Sequence, residues 1–196
     1  VTNWVQVPFN AASYGSDYCG GIVCQDTWRF VNDSVDVWAN TSGMSPAALN
    51  AYLSQFDIWD RYDADGDGNF NEPDGYIDHF QSIHAGSGEE TGGGAQGTNA
   101  IWSHRWYAWF SANGPDGTGS HGLGGLRIGT SNYWIGDYTV EPENGGVGVF
   151  AHEFGHDLGL PDLYDTSGNT GGAENSTGFW TLYSQGSYGN SGKPED

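Results

Sequence analysis

Lysine and arginine are scarce in this chain: five of them against 25 Asp plus Glu leave a formal net charge of -20. So acidic a surface repels phosphate backbones and anionic headgroups, which argues against nucleic acid as a partner. Long apolar runs are missing as well. None approaches the roughly 18 residues needed to span a bilayer, so no membrane insertion is expected. Val1-Thr2-Asn3-Trp4 has neither the basic nor the apolar region of a signal peptide. The start therefore reads as that of a mature, processed or excerpted chain, and the polar tail Gly192 to Asp196 as a truncation point. Cysteine occurs twice, in Cys19-Gly-Gly-Ile-Val-Cys24, where two glycines let the chain double back into a small disulfide loop. That spacing matches no metal or redox motif, and oxidised cysteines place a protein in a secreted, extracellular setting.

The 196 residues suffice for one domain with a true core and do not require two. A single catalytic domain over 1–196 is expected, monomeric, with an N-terminal lobe to about 160 and a short C-terminal lobe over 161–196. The carboxylate excess would be relieved by bound cations that gather several acids, calcium being the natural one; plain solubility is the alternative.

Helical spacing of Trp28, Val31, Val35 and Trp38 predicts a helix near 26–40, and Ser45-Pro46 offers an N-cap for a second near 46–58. Alternation from Tyr76 to His84 predicts a strand, one that could pair with an extended peptide. Strand-like composition recurs over 100–110 and 133–140, with Gly-rich loops at 85–99 and 111–125. Val147, Phe150, Ala151, Phe154 and Leu158 then mark the expected buried stripe of a helix near 145–159, ended by Gly159 and Pro161. Strands ahead of one long helix and an irregular tail predict an α+β, loop-rich domain with that helix across the middle.

Within that helix lies His152-Glu153-Phe154-Gly155-His156. Four residues turn the second imidazole only about 40° from the first, so both reach one ion from one face. Glu153, displaced sideways, is placed to act as general base on a zinc-bound water instead of ligating. A third ligand must come from beyond the helix. Gly159 permits a sharp reversal that would bring Asp162 back, giving an open His2Asp site; Asp165 and Glu174 are the rivals.

Asp63, Asp65, Asp67, Asn69, Asn71 and Asp74 occupy positions 1, 3, 5, 7, 9 and 12 of an EF-hand-like calcium loop, with Gly68 at the sixth. An Asp at the twelfth has shorter reach than the usual Glu. The flanks need not be two helices. His79, His84, His104 and His121 lack any metal-binding spacing and are not expected to be ligands.

The run HEFGHDLGLPDLYD, then ENSTGFWTL at 174–182, resembles the immune inhibitor A family of bacterial secreted zinc metalloproteases. So do DADGDGNFNEPDGYIDHF and AIWSHRW, all in the family's order and together about a quarter of the chain. The resemblance implies a zincin fold, endopeptidase action on protein substrates, and a longer precursor. It also exposes one departure: where such proteases place a methionine beneath the metal, this chain has Tyr183. Altered support for the site is expected from it, with the chemistry kept. A competing reading is a calcium-stabilised extracellular binding module whose zinc site is inactive or structural.

Overall fold

The computed structural model describes residues 2–17, 20, 25–63, 65–109, 113–114, 117–118, 124–167 and 177–188. Cys19, Cys24, His121 and Glu174 lie outside them. The chain divides into two compact units, Val1–Phe80 with Trp106–Tyr138, and Gln81–Arg105 with Thr139–Asp196.

The first unit carries α1 (Ala11–Tyr14), α2 (Gln25–Thr41) and α3 (Pro46–Leu53). Ser45 caps α3 by accepting the Ala48 N–H, with proline at the start as its sequence requires. The helix is shorter than expected, ending at Leu53 in a 3-10 turn over Ser54–Phe56. Apolar burial dominates here: Phe30, Val31, Val35 and Ala39 of α2 and Leu49 and Leu53 of α3 are all enclosed. Gly129, at φ +54°, lets the backbone approach closely, since a Cβ there would lie 2.9 Å from that of Ala39.

Of the predicted strand from Tyr76 to His84, the end forms β1 (Gln81–His84) and Tyr76 makes an isolated parallel bridge to Trp134, with a break between them. The reason lies in Asp78. Its N–H donates to the Phe56 carbonyl at 2.8 Å, and its carboxylate accepts the N–H groups of Ile58 and Trp59 at 2.9 and 3.1 Å. Arg61 donates to the Asp78 carbonyl and pairs with Asp137 at 3.1 Å. Asp78 is thus committed to the 56–61 loop instead of to a sheet. The remaining strands are β2 (His104–Tyr107), β3 (Asn113–Gly114), β4 (Gly117–Thr118), β5 (Leu126–Arg127), β6 (Trp134–Ile135) and β7 (Asp137–Pro142). β3 pairs with β4 and β5 with β6, both antiparallel.

In the second unit β1 runs parallel to β7, from Gln81 opposite Thr139 to His84 opposite Pro142. The sheet order is β1-β7-β2, so β1 occupies an edge. After β7 comes α4 (Val147–Asp157). Helices and short strands are arranged as an α+β domain, and among the described residues no sheet closes into a barrel. None of the described helices is long and apolar enough to cross a membrane.

The expected buried stripe of α4 is wrong. Val147 is 79% exposed, and Phe154 and Leu158 are exposed too. The enclosed face is instead Val149, Glu153 and Asp157, spaced four apart. Hydrophobic periodicity misled because this helix turns two carboxylates, Glu153 and Asp157, inward. On that helix Gly148 admits the Ser187 carbonyl group, whose carbon lies 3.0 Å from where a Cβ would stand.

β7 is buried at every residue, and it carries a carboxylate. Glu141 is 0% exposed; Gln81 Nε2 donates to its Oε1 at 3.2 Å, while Oε2 has no hydrogen-bond partner. Burial pushes its carboxyl up from 4.5 to about 8, with the Glu153 charge adding to the rise. Folding therefore favours its protonated form, a contribution complete below the ordinary value and lost as pH climbs through about 8. Glu141→Gln removes that loss. Thermal midpoints of the variant relative to the parent should move upward, by the equivalent of a few kcal/mol, between about pH 5 and pH 9. A midpoint difference that stays flat across this range refutes the assignment.

Candidate active site

α4 ends by a mechanism that builds the site. Leu160 N–H donates to the Gly155 carbonyl and Gly159 N–H to the His156 carbonyl, both at 2.9 Å, with Gly159 at φ +85°. This is a Schellman-type termination, for which glycine is the natural residue. It turns the chain so that the Leu160 carbonyl accepts a hydrogen bond from His156 Nδ1 at 2.7 Å. His152 Nδ1 donates likewise to the Leu182 carbonyl at 2.6 Å.

With each Nδ1 carrying its proton toward a carbonyl, each Nε2 presents a lone pair. Those lone pairs converge. The two Nε2 atoms are 2.9 Å apart, and Asp162 Oδ1 stands 3.3 Å from that of His152 and 3.2 Å from that of His156. The three residues form a group able to hold a metal ion, and buried Asp162 Oδ1 has no hydrogen-bond partner. Three acceptors facing one point need a proton or a cation between them, and two imidazoles with a carboxylate are a donor set suited to zinc. Burial alone would raise the Asp162 carboxyl, yet the two imidazoles hold it well below the ordinary carboxylate range. His156 is raised first by the hydrogen bond that its protonated ring would donate to Asp162, with burial opposing.

Of the rivals for third ligand, Asp165 turns away: its Oδ1 accepts the N–H and hydroxyl of Ser167 at 2.9 and 2.5 Å. Glu153 is buried beside the group, its Oε1 4.0 Å from His152 Nε2. Burial pushes its carboxyl up to about 7, against the lowering influence of both imidazoles. Tyr183 lies against both rings, stacked on His152 at 5.4 Å between centroids and edge-on to His156 at 5.5 Å.

The acidic loop brings its residues together unevenly. Gly68 takes φ +81° at the expected turn, and its N–H donates to Asp63 Oδ1 at 2.9 Å. Asp65, Asp67 and Asn69 each accept from the backbone two residues on, at 3.1, 2.7 and 3.3 Å. Two carboxylate triads result, Asp60 with Asp63 and Asp65, and Asp65 with Asp67 and Glu72. Asp74 joins neither; its Oδ1 accepts the Tyr76 N–H at 2.8 Å. Asn71 donates its N–H to Asn69 Oδ1. Among the described residues, His79, His84 and His104 belong to no metal-binding group.

The family model for the immune inhibitor A peptidase M6 catalytic domain matches residues 1–195. The chain belongs to the immune inhibitor A peptidase family. This peptidase domain is 47% identical over 174 residues to immune inhibitor A of Bacillus thuringiensis subsp. alesti, covering 85% of the chain and 23% of that protein. It is 40% identical over 185 residues to the pre-pro-metalloprotease PrtV of Vibrio cholerae serotype O1, covering 94% of the chain and 19% of the relative. The chain thus spans about a fifth of the length of the curated relatives it matches. Membership of the family implies a catalytic metal.

Sequence reasoning overlooked Asp60, Glu72 and Glu141, as well as the carbonyls of Leu160 and Leu182. Only Glu141 gave a signal, a lone carboxylate in an aromatic and β-branched run. For the ligand set, Asp162→Asn should weaken zinc binding beyond the roughly 10–100-fold that changes to outer hydrogen-bond partners produce. Asp165→Asn should leave it within about twofold of the parent. Chelator competition separates the two, and equal losses would remove Asp162 from the ligand set.

Proposed function

We propose that this peptidase domain is a zinc endopeptidase that hydrolyses peptide bonds of extracellular proteins. The observation that carries the reading is the convergence of His152 Nε2, His156 Nε2 and Asp162 Oδ1 on one point. His152, His156 and Asp162 would hold the ion and leave a position open, as a catalytic centre requires. Zinc bound there supplies Lewis-acid polarisation of the scissile carbonyl and acidifies a water molecule.

Glu153 does the proton work. Its carboxylate, buried with Oε1 4.0 Å from His152 Nε2, stands beside the metal position, where it would accept a proton and return it to the leaving amide nitrogen. The Leu160 and Leu182 carbonyls hold the imidazoles in the required tautomer. An extended substrate can add to the sheet edge at β1 by backbone hydrogen bonds. Similarity to a protein named as a metalloprotease supports the reaction class. The Cys19–Cys24 pair, read as a disulfide, supports action outside the cell.

The Asp63 to Asp74 loop is proposed to hold calcium in a structural role. Its support is the two clustered carboxylate triads, which assign Asp60 and Glu72 alongside Asp63, Asp65 and Asp67. Asn69, Asn71 and Asp74 then shape the loop through their own hydrogen bonds to backbone and neighbours.

Glu153→Gln should lower casein turnover by at least about 10²-fold while zinc content stays stoichiometric; persistent turnover refutes the base assignment. Removal of calcium with EGTA, followed by dialysis and restoration of zinc alone, should lower the thermal midpoint by about 5–10 °C. An unchanged melting curve would exclude a structural calcium.

A further inference from the structure

Glycine is the poorest helix former after proline, yet Gly155 sits inside α4 between the two histidines and is buried. A Cβ built on it would overlap the Tyr183 hydroxyl and fall 2.5 Å from Cζ and 3.0 Å from Cε1. The phenol therefore fills the volume that any other residue's side chain would need. From that seat its ring stacks on His152 with a 28° tilt and meets His156 at 61°.

The backbone at Tyr183 reaches the remaining parts of the site. The Leu182 carbonyl orients His152, and the Tyr183 carbonyl accepts the Leu163 N–H at 2.6 Å, one residue beyond Asp162. One residue thus braces both imidazoles through its ring and the third arm through its main chain. A ring can be held at that height over a helix only where the helix lacks a side chain.

We propose that Gly155 and Tyr183 are a matched steric pair, in which the phenol seated on the glycine positions His152 and His156 for the metal. Tyr183 is a positioning residue here, in the place where the family resemblance puts a methionine. An unbranched, flexible methionine makes no comparable demand for space at position 155. The inference rests on reading the site as a zinc centre, and the test keeps the two apart.

Four proteins decide it: the parent, Gly155→Ala, Tyr183→Met and the double variant. Each is measured for zinc affinity by chelator competition, for the visible spectrum of the cobalt(II) form, and for the zinc-free thermal midpoint. Gly155→Ala alone should weaken zinc binding at least about 10-fold, alter the cobalt spectrum and lower the midpoint. In the Tyr183→Met background the same change should cost less than about twofold in affinity, and the midpoint should hold or rise, since alanine favours helix. Equal losses in both backgrounds overturn the pairing. Where Gly155→Ala fails to fold, recovery of folded double variant supports the pair, and failure of the double beside a well-folded Tyr183→Met overturns it. A parent that binds no zinc sinks the zinc reading, while non-additive midpoints would still establish the pair.

Discussion

Three acceptor atoms aimed at one point cannot be left without a positive charge among them, and that constraint organises the second unit. Two imidazole nitrogens at 2.9 Å, with a carboxylate oxygen 3.2 and 3.3 Å away, repel unless a proton or a metal intervenes. Everything that fixes their direction is backbone. The Schellman end of α4 delivers the Leu160 carbonyl to His156, and the turn around Leu182 delivers another to His152. Carbonyls bonded in this way have little freedom, so the lone pairs are fixed before an ion arrives. Preorganisation of this kind raises affinity by lowering the ordering cost of binding.

The interior of this unit is correspondingly polar. Ser82, His84, Ser103, His104, Thr139, Glu141 and Glu153 are all buried, where the first unit encloses mainly aliphatic and aromatic groups. Burying a carboxylate in its charged form is costly, and the molecule answers by raising it toward neutrality, as with Glu141 at about 8 and Glu153 at about 7. His104 is treated in mirror fashion: burial lowers it to about 4, so it stays neutral. Its effect on stability has the opposite sign to that of Glu141, being full above the ordinary histidine value and lost as pH falls towards about 4. Between those limits the interior holds no charge from either group.

Much of the site was legible because it obeys short-range rules. Four-residue spacing put His152 and His156 on one face, and a glycine followed by Asp162 announced the reversal. Sequence pattern failed where tertiary partners decide. Val147, Phe154 and Leu158 form a convincing apolar stripe, yet α4 buries Val149, Glu153 and Asp157, two of them carboxylates that no apolar pattern marks. The alternation from Tyr76 to His84 looked like a strand, but Asp78 is claimed by N–H groups twenty positions earlier in the chain. No local signal announces a partner at that distance. Tyr183 was visible as an odd residue in its motif, but its relation to Gly155 becomes apparent only once the helix and the turn are placed against each other.

The acidic loop shows the same division between local and tertiary causes, and charge settles which residues belong together. Alternate side chains at 63, 65, 67 and 69 fold back onto loop N–H groups, so the loop's shape follows from its own sequence. Its second set of acids does not. Asp60 lies before the motif and is buried, yet its carboxylate approaches those of Asp63 and Asp65 within 4.8 Å. At that separation each like pair repels by about 1 kcal/mol in bulk water, and by about 3–4 kcal/mol at the effective dielectric of a protein surface. Asp74, by contrast, is held apart by Tyr76, and Asp57 accepts the N–H groups of Asp74 and Gly75 at 3.0 Å, which anchors the loop's end. The arrangement therefore gathers carboxylates at Asp60, Asp63 and Asp65 while Asp74, at the twelfth position, is tied to the backbone, so the loop's own sequence sets its turns and the chain before it supplies the third acid.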